Sequence, residues 1–211
     1  MLKDIHTHHL FAAPEESLVS VCHRDAESDV FKRAVHLAVG IHPWYVTEDD
    51  LQLQVEWIKG MLQENRVLAI GEGGLDKCCD TPFDLQEKAF RIQIELAESH
   101  QLPLIIHCVK CAAELIRLKK EYRPKSPWII HGFRGKPQQA ADYLRHGFYL
   151  SFGEKYAEES LRSVPNDRFF IETDESKVPV DELYRRAASI REVSLSTLED
   201  SVFENINRLF Y

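Results

Sequence analysis

The sequence has no uninterrupted apolar run of the roughly 18 residues that a membrane-spanning helix needs. Asp4 and His6 precede any apolar stretch at the N-terminus, so we expect no signal peptide, no membrane association and a cytoplasmic location. No internal repeat, low-complexity tract or Gly/Ser/Pro-rich linker divides the 211 residues. We therefore expect one domain that spans residues 1–211.

Positive charges are outnumbered by negative ones. The chain has 26 Lys and Arg residues against 34 Asp and Glu residues, which gives a formal net charge of −8. This balance excludes a broad electrostatic attraction to a polyanion. It does not exclude a nuclease, because metal ions and a local basic rim can neutralise a few phosphates. No obligate protein partner is indicated.

Cysteines are few and odd in number. The five are Cys22, Cys78, Cys79, Cys108 and Cys111. An odd count fits reduced thiols better than a disulfide framework. The last two form a C-x-x-C motif, but the second pair that a structural zinc site needs is missing. We expect none of the five to bind metal or act in redox chemistry.

Short apolar runs typical of buried strands alternate with helical stretches. We predict eight strands, at Met1–Ile5, Leu18–Cys22, Val35–Ile41, Val67–Gly71, Leu104–His107, Trp128–His131, Phe148–Phe152 and Phe169–Thr173. The clearest predicted helices are Thr47–Gln63, Leu85–Ser99, Ala112–Tyr122, Pro137–Arg145 and Thr197–Leu209. This alternation predicts an α/β fold, a compact (β/α)8 TIM-type barrel, with shortened connections near the N-terminus.

Two imidazoles close the first predicted strand. His6 and His8 are two residues apart, which is one side-chain period of a strand, so both point to the same face. Paired imidazoles often hold a divalent metal, although clustered histidines also occur for structural reasons. His9 alternates to the other face, and we expect it to be dispensable for metal binding.

Other potential ligands recur at the ends of later strands. In a barrel of this kind the chemistry lies at the carboxyl ends of the strands. The six side chains that the sequence brings to this rim are His6, His8, Glu72, His107, His131 and Asp174. Any one of them could be structural, but their shared position favours one selected metal site.

The set suits one or two divalent ions, and a pair would lie about 3.5 to 4 Å apart and activate a water between them. We predict Glu72 as the bridging carboxylate, with His6, His8 and Asp174 around one ion and His107 and His131 around the other. Imidazole and carboxylate ligands together are compatible with Zn²⁺, Mn²⁺ or Mg²⁺, and nitrogen ligands favour the first two.

Further polar residues follow the same strands. His42 could contact substrate or cap a loop, and Asp76 could orient a ligand histidine or stabilise a turn. Four basic residues lie at this rim and could bind a phosphate, namely Lys77, Lys110, Arg134 and Lys155. We expect one or two of them to contact substrate, Arg134 first because its guanidinium can bind a phosphate bidentately.

Taken in order, these motifs resemble the TatD family of metal-dependent hydrolases in the amidohydrolase superfamily. The matching segments run from end to end of the chain: residues 4–8 (DIHTH), 40–44 (GIHPW), 69–76 (AIGEGGLD), 86–97, 102–107 (LPLIIH), 131–135 (HGFRG), 172–174 (ETD) and 207–210 (NRLF).

The resemblance implies a TIM-type barrel with a one- or two-metal site and phosphodiesterase activity, often that of a deoxyribonuclease. It implies the same six ligands, with Asp174 also accepting a proton from the attacking water. The substrate would be a phosphodiester, such as a DNA end or a short single strand.

The chain also departs from the family pattern. It is shorter before Gly40, Cys108-Val109-Lys110 follows His107, and Glu175-Ser176-Lys177 follows Asp174. Gly132 and Arg134 replace more typical residues beside His131. The ligands are kept while the pocket walls differ. Two alternatives therefore stay open: a hydrolase of small amides, carboxylic esters or lactones, and a metal-binding protein without catalysis.

Overall fold

The structure, a computed structural model, describes residues 2–211, and it contains eight strands within that range. They are β1 (Asp4–Thr7), β2 (Ser17–Val21), β3 (His36–Val39), β4 (Val67–Asp76), β5 (Leu104–Val109), β6 (Trp128–Ile130), β7 (Tyr149–Phe152) and β8 (Phe169–Ile171). Each strand pairs in parallel with the next one along the chain. The predicted TIM-type barrel is therefore confirmed.

Helices surround this sheet. Their bounds are α1 (Asp29–Arg33), α2 (Leu51–Met61), α3 (Phe83–His100), α4 (Ala112–Tyr122), α5 (Pro137–Arg145), α6 (Glu158–Ser163), α7 (Val180–Arg191) and α8 (Leu195–Phe210). The connection between β2 and β3 carries only the five-residue α1 and a short 3-10 turn. The predicted shortening near the N-terminus is thus present. None of the helices in residues 2–211 is long and apolar enough to cross a membrane.

The barrel closes between β1 and β8 through few backbone bonds. One parallel bridge joins Thr7 to Asp174, and the amide of Asp174 donates to the carbonyl of His6 at 2.9 Å. Side chains complete this seam, because the buried Asp4 carboxylate accepts from the amide of Thr173 at 3.0 Å and from its hydroxyl at 2.6 Å. The seam lies directly beneath the ends of both strands.

Several predicted boundaries differ from the structure. The first strand begins at Asp4, and the Met1 end of its prediction lies outside the described residues. Glu72 and His107 were predicted at or just past strand ends, but β4 continues to Asp76 and β5 to Val109, so both lie inside strands. β3 ends at Val39, which places His42 in the following loop.

Glycine explains the unexpected length of β4. Residues 71–74 offer few apolar side chains, yet they stay paired with β5, with Gly74 opposite His107. Gly74 has φ +150°, and a Cβ at this position would collide with the carbonyl oxygen of His107. Only glycine lets the two backbones approach this closely.

Three helices, α1, α6 and α7, are not among the clearest predicted helices. α6 has only six residues, which is too short for a clear helical period. α7 begins after Pro179 with Asp181 and Glu182 in its first turn, which are start signals that the sequence does contain. The α2 prediction was too long at its start, because residues 47–50 form turns before Leu51.

Candidate metal centre

The barrel brings all six predicted ligands to one place. They come from β1 and its end (His6, His8), from β4 (Glu72), from β5 (His107) and from the residues after β6 and β8 (His131, Asp174). Side chains at this rim form three groups whose potential ligand atoms lie within 4.8 Å of one another. They are His6–Glu72–His131, His6–His8–Asp174 and His42–Glu72–His107, the last of which adds His42 to the predicted ligands. His42 therefore lies among the candidate ligands, next to Glu72 and His107, whereas the sequence suggested a substrate contact or a loop cap.

Glu72 lies in the middle of the cluster, with its two carboxylate oxygens facing different histidines. Oε1 lies 2.7 Å from Nε2 of His131, 2.8 Å from Nδ1 of His107 and 3.2 Å from Nε2 of His42. Oε2 lies 3.2 Å from Nε2 of His8 and 3.4 Å from Nε2 of His6. One buried carboxylate therefore touches five imidazoles, divided three and two between its oxygens.

Asp174 stands on the side of His6 and His8. Its Oδ1 lies 3.7 Å from Nε2 of His6 and 3.8 Å from Nε2 of His8, and its side chain is 22% exposed. The residue has φ +55°, a left-handed conformation that costs free energy in a residue with a Cβ. The backbone bonds across the seam hold it there.

Buried atoms without hydrogen-bond partners test whether a metal would fit. His6 is fully buried, yet neither of its ring nitrogens makes a hydrogen bond within residues 2–211, although Nε2 lies 3.4 Å from Oε2 of Glu72. Nδ1 of His131 makes no hydrogen bond in this range either. Such groups are costly when nothing satisfies them. Imidazole nitrogens and carboxylate oxygens are the donors that transition-metal sites use, so these residues fit a divalent ion.

The electrostatics of the cluster keep its central carboxylate ionised. Burial alone would raise the pKa of Glu72, but the charges of His131 and His6 and a hydrogen bond from His107 hold that pKa well below its usual range. Burial would lower the pKa of His131, yet Glu72 and Glu172 hold it well above its ordinary value. Burial and the charge of His131 lower the pKa of His6. A carboxylate in this state is a ready ligand.

Glu172 is a buried acid that the sequence reading did not assign. Its Oε1 accepts a hydrogen bond from the amide of Gly132 at 2.6 Å and lies 3.6 Å from Nδ1 of His131. A carboxylate behind a histidine fixes the orientation and tautomer of the ring. Glu172 follows the last residue of β8 directly and stands two residues before Asp174 in the ETD motif, which was the available signal.

Asp76 links His107 to an exposed indole. Its Oδ2 lies 3.1 Å from Nε2 of His107 and accepts a 2.7 Å hydrogen bond from Nε1 of Trp44. The other oxygen accepts from the amide of Cys78 at 2.7 Å. The structure thus places Asp76 where the proposed orienting carboxylate would be. Trp44 belongs to the GIHPW motif, and the sequence alone predicts no role for it.

Two glutamines of α3 hold the strand ends in place. Gln93 accepts from the amide of Ile41 at 2.8 Å and donates to its carbonyl at 3.1 Å, directly before His42. Gln86 makes the same pair of bonds with the backbone of Asp76, at 2.8 and 3.0 Å. Both glutamines are buried. Their spacing of seven residues puts them on one helix face. The sequence contains this signal, but it did not lead to a prediction.

The four basic residues divide between different surroundings. Lys110 and Arg134 line a cavity of about 1030 Å³ that opens over the histidines. Lys155 lines a smaller adjoining cavity of about 160 Å³, which Arg134 also reaches. Lys77 forms an ion pair with Glu114 and lines neither of these two cavities. Arg134 and Lys110 are therefore the better placed of the four.

The C-x-x-C motif lies at the edge of this cavity. All five cysteines of the chain are free, as expected. The thiol of Cys111 donates to the carbonyl of Val109 at 3.0 Å, and burial raises its pKa to about 12. Cys108 lies 3.4 Å from the hydroxyl of Tyr143. A buried thiol with a raised pKa is a poor nucleophile and a poor metal ligand.

A parallel barrel with imidazoles and carboxylates converging at the carboxyl ends of its strands is the architecture of the barrel metallohydrolases. Comparison with known proteins gives the family. The model of the "TatD related DNase" family matches residues 14–211, and the chain belongs to that family. The matched range begins after His6 and His8.

Two relatives and one solved structure illustrate the similarity. The chain is 33% identical over 201 residues to the "Uncharacterized metal-dependent hydrolase YabD" of Bacillus subtilis, covering 83% of this chain and 77% of that protein. It is 33% identical over 145 residues to the "3'-5' ssDNA/RNA exonuclease TatD" of Cronobacter turicensis, covering 64% and 55%. The crystal structure of YjjV, a TatD homologue of Escherichia coli, superposes with a TM-score of 0.82 at 20% identity, covering 99% of this chain and 97% of that one.

These findings confirm the predicted family, the barrel and the class of metal-dependent hydrolase, and nucleases are among the relatives. The chain spans little more than half the length of the Cronobacter exonuclease. The structural similarity to YjjV covers almost the whole chain and includes the strand of His6 and His8, but at 20% identity it speaks for the fold alone.

Proposed function

We propose that the protein is a phosphodiesterase that uses divalent metal ions to remove nucleotides from the ends of single-stranded nucleic acid. The observation that carries the proposal is the division of the Glu72 oxygens between two sets of histidines. A carboxylate in that position can bridge two ions. The names of the nuclease relatives supply the substrate class.

Two ligand sets follow from this division. His6, His8, Asp174 and Oε2 of Glu72 would hold one ion. His107, His131 and Oε1 of Glu72 would hold the second, with His42 within reach. We propose Zn²⁺ or Mn²⁺ over Mg²⁺, because imidazole is a better ligand for the first two.

Bound ions of this kind lower the pKa of a nearby water and neutralise phosphate charge. The residues of the chain have distinct tasks around that chemistry. Asp174, partly exposed at the cavity floor, would accept the proton of the attacking water. Glu172 and Asp76 would hold the rings of His131 and His107 in their binding orientation.

Basic residues in the cavity walls would bind the rest of the substrate. Arg134 and Lys110 would bind phosphate oxygens, and Arg134 can do so with two parallel hydrogen bonds. Two local cations can attract an end of a strand although the chain carries a net charge of −8. A long duplex would meet a protein that is mostly acidic.

Five unpaired cysteines are typical of proteins from a reducing compartment, so we also propose that the protein works in the cytoplasm.

The proposal is tested with metal-stripped protein to which Mn²⁺, Zn²⁺ or Mg²⁺ is returned. Single-stranded DNA labelled at either end should be shortened from one end by the wild type, and not by Glu72→Gln or His107→Ala. His9→Ala is the matched control, since His9 lies outside the three ligand groups and should keep full activity. A nitrophenyl phosphodiester, a carboxylic ester and a lactone are assayed in parallel. Equal activity in the wild type and Glu72→Gln, or a preference for the carboxylic substrates, would contradict the proposal.

A further inference from the structure

Two aromatic side chains beside the metal centre are exposed although nothing in the proposed chemistry uses them. Trp44 is 51% exposed and Tyr45 is 40% exposed, in the loop between β3 and α2. Both line the large cavity. Exposing an indole to water is unfavourable, and exposed aromatic groups in a pocket usually mark a binding surface.

Trp44 is held in a fixed position. Its Nε1 donates to Asp76 at 2.7 Å, and its backbone amide donates to Nδ1 of His42 at 3.1 Å. The ring centroid lies 5.7 Å from that of His107 and 4.9 Å from that of His42. A ligand on this indole would therefore lie next to any group bound at the histidines.

The aromatic surface continues outward to a cation. The ring centroid of Tyr45 lies 5.2 Å from that of His42 and 6.3 Å from that of Trp44. The guanidinium carbon of Arg24 lies 4.1 Å from the centre of the Tyr45 ring. Arg24 is exposed, lines the same cavity and has no carboxylate within salt-bridge distance in residues 2–211. Its charge is free to meet an anion.

The short connection between β2 and β3 keeps this side of the rim open. Cys22, Asp25 and Ser28 of that connection line the same cavity as the two aromatic rings. Only one turn of 3-10 helix and the five residues of α1 stand between these strands. A ligand on Trp44 can therefore extend towards Arg24, whose guanidinium covers one face of the Tyr45 ring.

An aromatic face followed by a cation is the arrangement by which proteins bind unpaired nucleotides, the base on the ring and the phosphate on the charge. We propose that Trp44 is a stacking site for the base of the nucleotide next to the cleaved bond, with Tyr45 and Arg24 continuing the site along the strand. This subsite rests on the proposed function, and it makes the base itself a determinant of substrate choice.

Binding without turnover provides the first test. Trp44 is the most exposed of the three tryptophans, since Trp128 is fully buried and Trp57 is half-buried. The metal-loaded protein is titrated with a short single-stranded oligodeoxyadenylate carrying uncleavable linkages, and with an abasic strand of the same length. Tryptophan fluorescence should be quenched by the first strand and not by the second.

Two variants and a control make the binding test specific. Trp44→Leu should lose the quenching and bind the adenylate strand roughly 10- to 100-fold more weakly. Trp44→Phe keeps a stacking face and should retain most of the affinity. Tyr211→Leu removes an exposed aromatic ring outside the two cavities and should bind as the wild type does. Equal quenching by the abasic strand, or undiminished affinity in Trp44→Leu, would overturn the proposal.

Turnover separates stacking from a merely structural role of Trp44 through Asp76. The ratio of kcat/KM for a base-bearing strand to that for an abasic strand should collapse in Trp44→Leu. An equal loss on both strands would show that Trp44 only positions Asp76, and the stacking site would be rejected. If the wild type cleaves neither strand, the proposed function fails, while the fluorescence titration still decides whether bases stack on Trp44.

Discussion

The two ends of the barrel use polar side chains in opposite ways. At the carboxyl ends of the strands, polar side chains face one another, and one carboxylate touches five imidazoles. At the amino ends, polar side chains bind backbone groups, as Gln86 and Gln93 also do beside the metal centre. Asn205 donates to the carbonyls of Asn166 and Phe169, and Glu98 accepts from the amides of Lys125 and Ser126.

Among the described residues, buried polar atoms without a hydrogen-bond partner occur at both ends of the barrel, and more of them lie around the metal centre. Nδ1 and Nε2 of His6, Nδ1 of His131 and Oε2 of Glu172 all lack partners around the metal centre. Trp128 and His36 contribute one unpartnered ring nitrogen each at the opposite end. The amino end thus secures the fold, while the carboxyl end keeps candidate ligand atoms free at a cost in stability.

Replacing Glu72 should have the largest functional effect. Glu72→Gln keeps the shape but removes the charge that both ligand sets share. We expect a loss of activity of about 1000-fold or more and loss of at least one bound ion. Unfolding of the metal-free proteins in urea separates this functional loss from a loss of stability, which we also expect because the histidines around Glu72 hold its pKa well below its usual range. Unchanged metal content in Glu72→Gln would contradict the shared role of this carboxylate.

Asn205 provides the opposite case at the amino end. Its buried amide donates to Asn166 at 2.7 Å and to Phe169 at 3.0 Å. Asn205→Ala leaves two carbonyls without their donor, and we expect the unfolding free energy to fall by about 2 kcal/mol. Metal content and kcat at 25 °C should stay at wild-type values. A change in metal affinity would mean that the two ends are energetically coupled.

The contribution of Lys119 to the free energy of unfolding should depend on pH. Its ammonium lies 4.9 Å from the ring centre of Trp128 and 5.0 Å from that of Phe148, and burial lowers its pKa to about 8. Between this pKa and the unfolded value of 10.5, the unfolded chain binds more protons, so the contribution of Lys119 to stability rises with pH.

Lys119→Met should therefore be more stable than the wild type at pH 7, by about 1 kcal/mol. The difference between the two proteins should shrink as the pH rises from 8 towards 10.5. Denaturant midpoints across this range measure it. A difference that stays constant with pH would show that burial of the charged Lys119 ammonium does not lower the stability of the folded state.

The smallest effect is expected at His9. Its Nε2 lies 3.2 Å from the carbonyl oxygen of Glu175, and the residue belongs to none of the three ligand groups. His9→Ala should leave metal affinity within experimental error of the wild type, whereas His6→Ala should lose it. Isothermal titration with Zn²⁺ compares the two variants. Equal losses would mean that the strand phase of β1 has been misread.

The candidate ligands at the carboxyl end could be predicted from the sequence, because strand periodicity is local. The two-residue spacing of His6 and His8 at the end of β1 and the repeated apolar runs were enough to predict the barrel and the six convergent side chains. What was missed depends on contacts between distant segments. The clamps of Gln93 on Ile41 and of Asp76 on Trp44 connect residues 52 and 32 positions apart.

Strand lengths were missed for a related reason. β4 continues through Gly73 and Gly74 because the neighbouring strand comes close, and no periodic pattern records that approach. The inner position of His42 likewise follows from a loop that folds back onto Glu72 at 3.2 Å. Residue type predicted which side chains could be ligands, and tertiary packing decided how near each one lies.

Glu72 is proposed to join two ion-binding sets at one end of the barrel. The most direct test counts the ions in metal-saturated protein by elemental analysis after gel filtration, for the wild type and for Glu72→Gln. We expect two ions per chain in the wild type and at most one in the variant. One ion in the wild type, or two in Glu72→Gln, would contradict it.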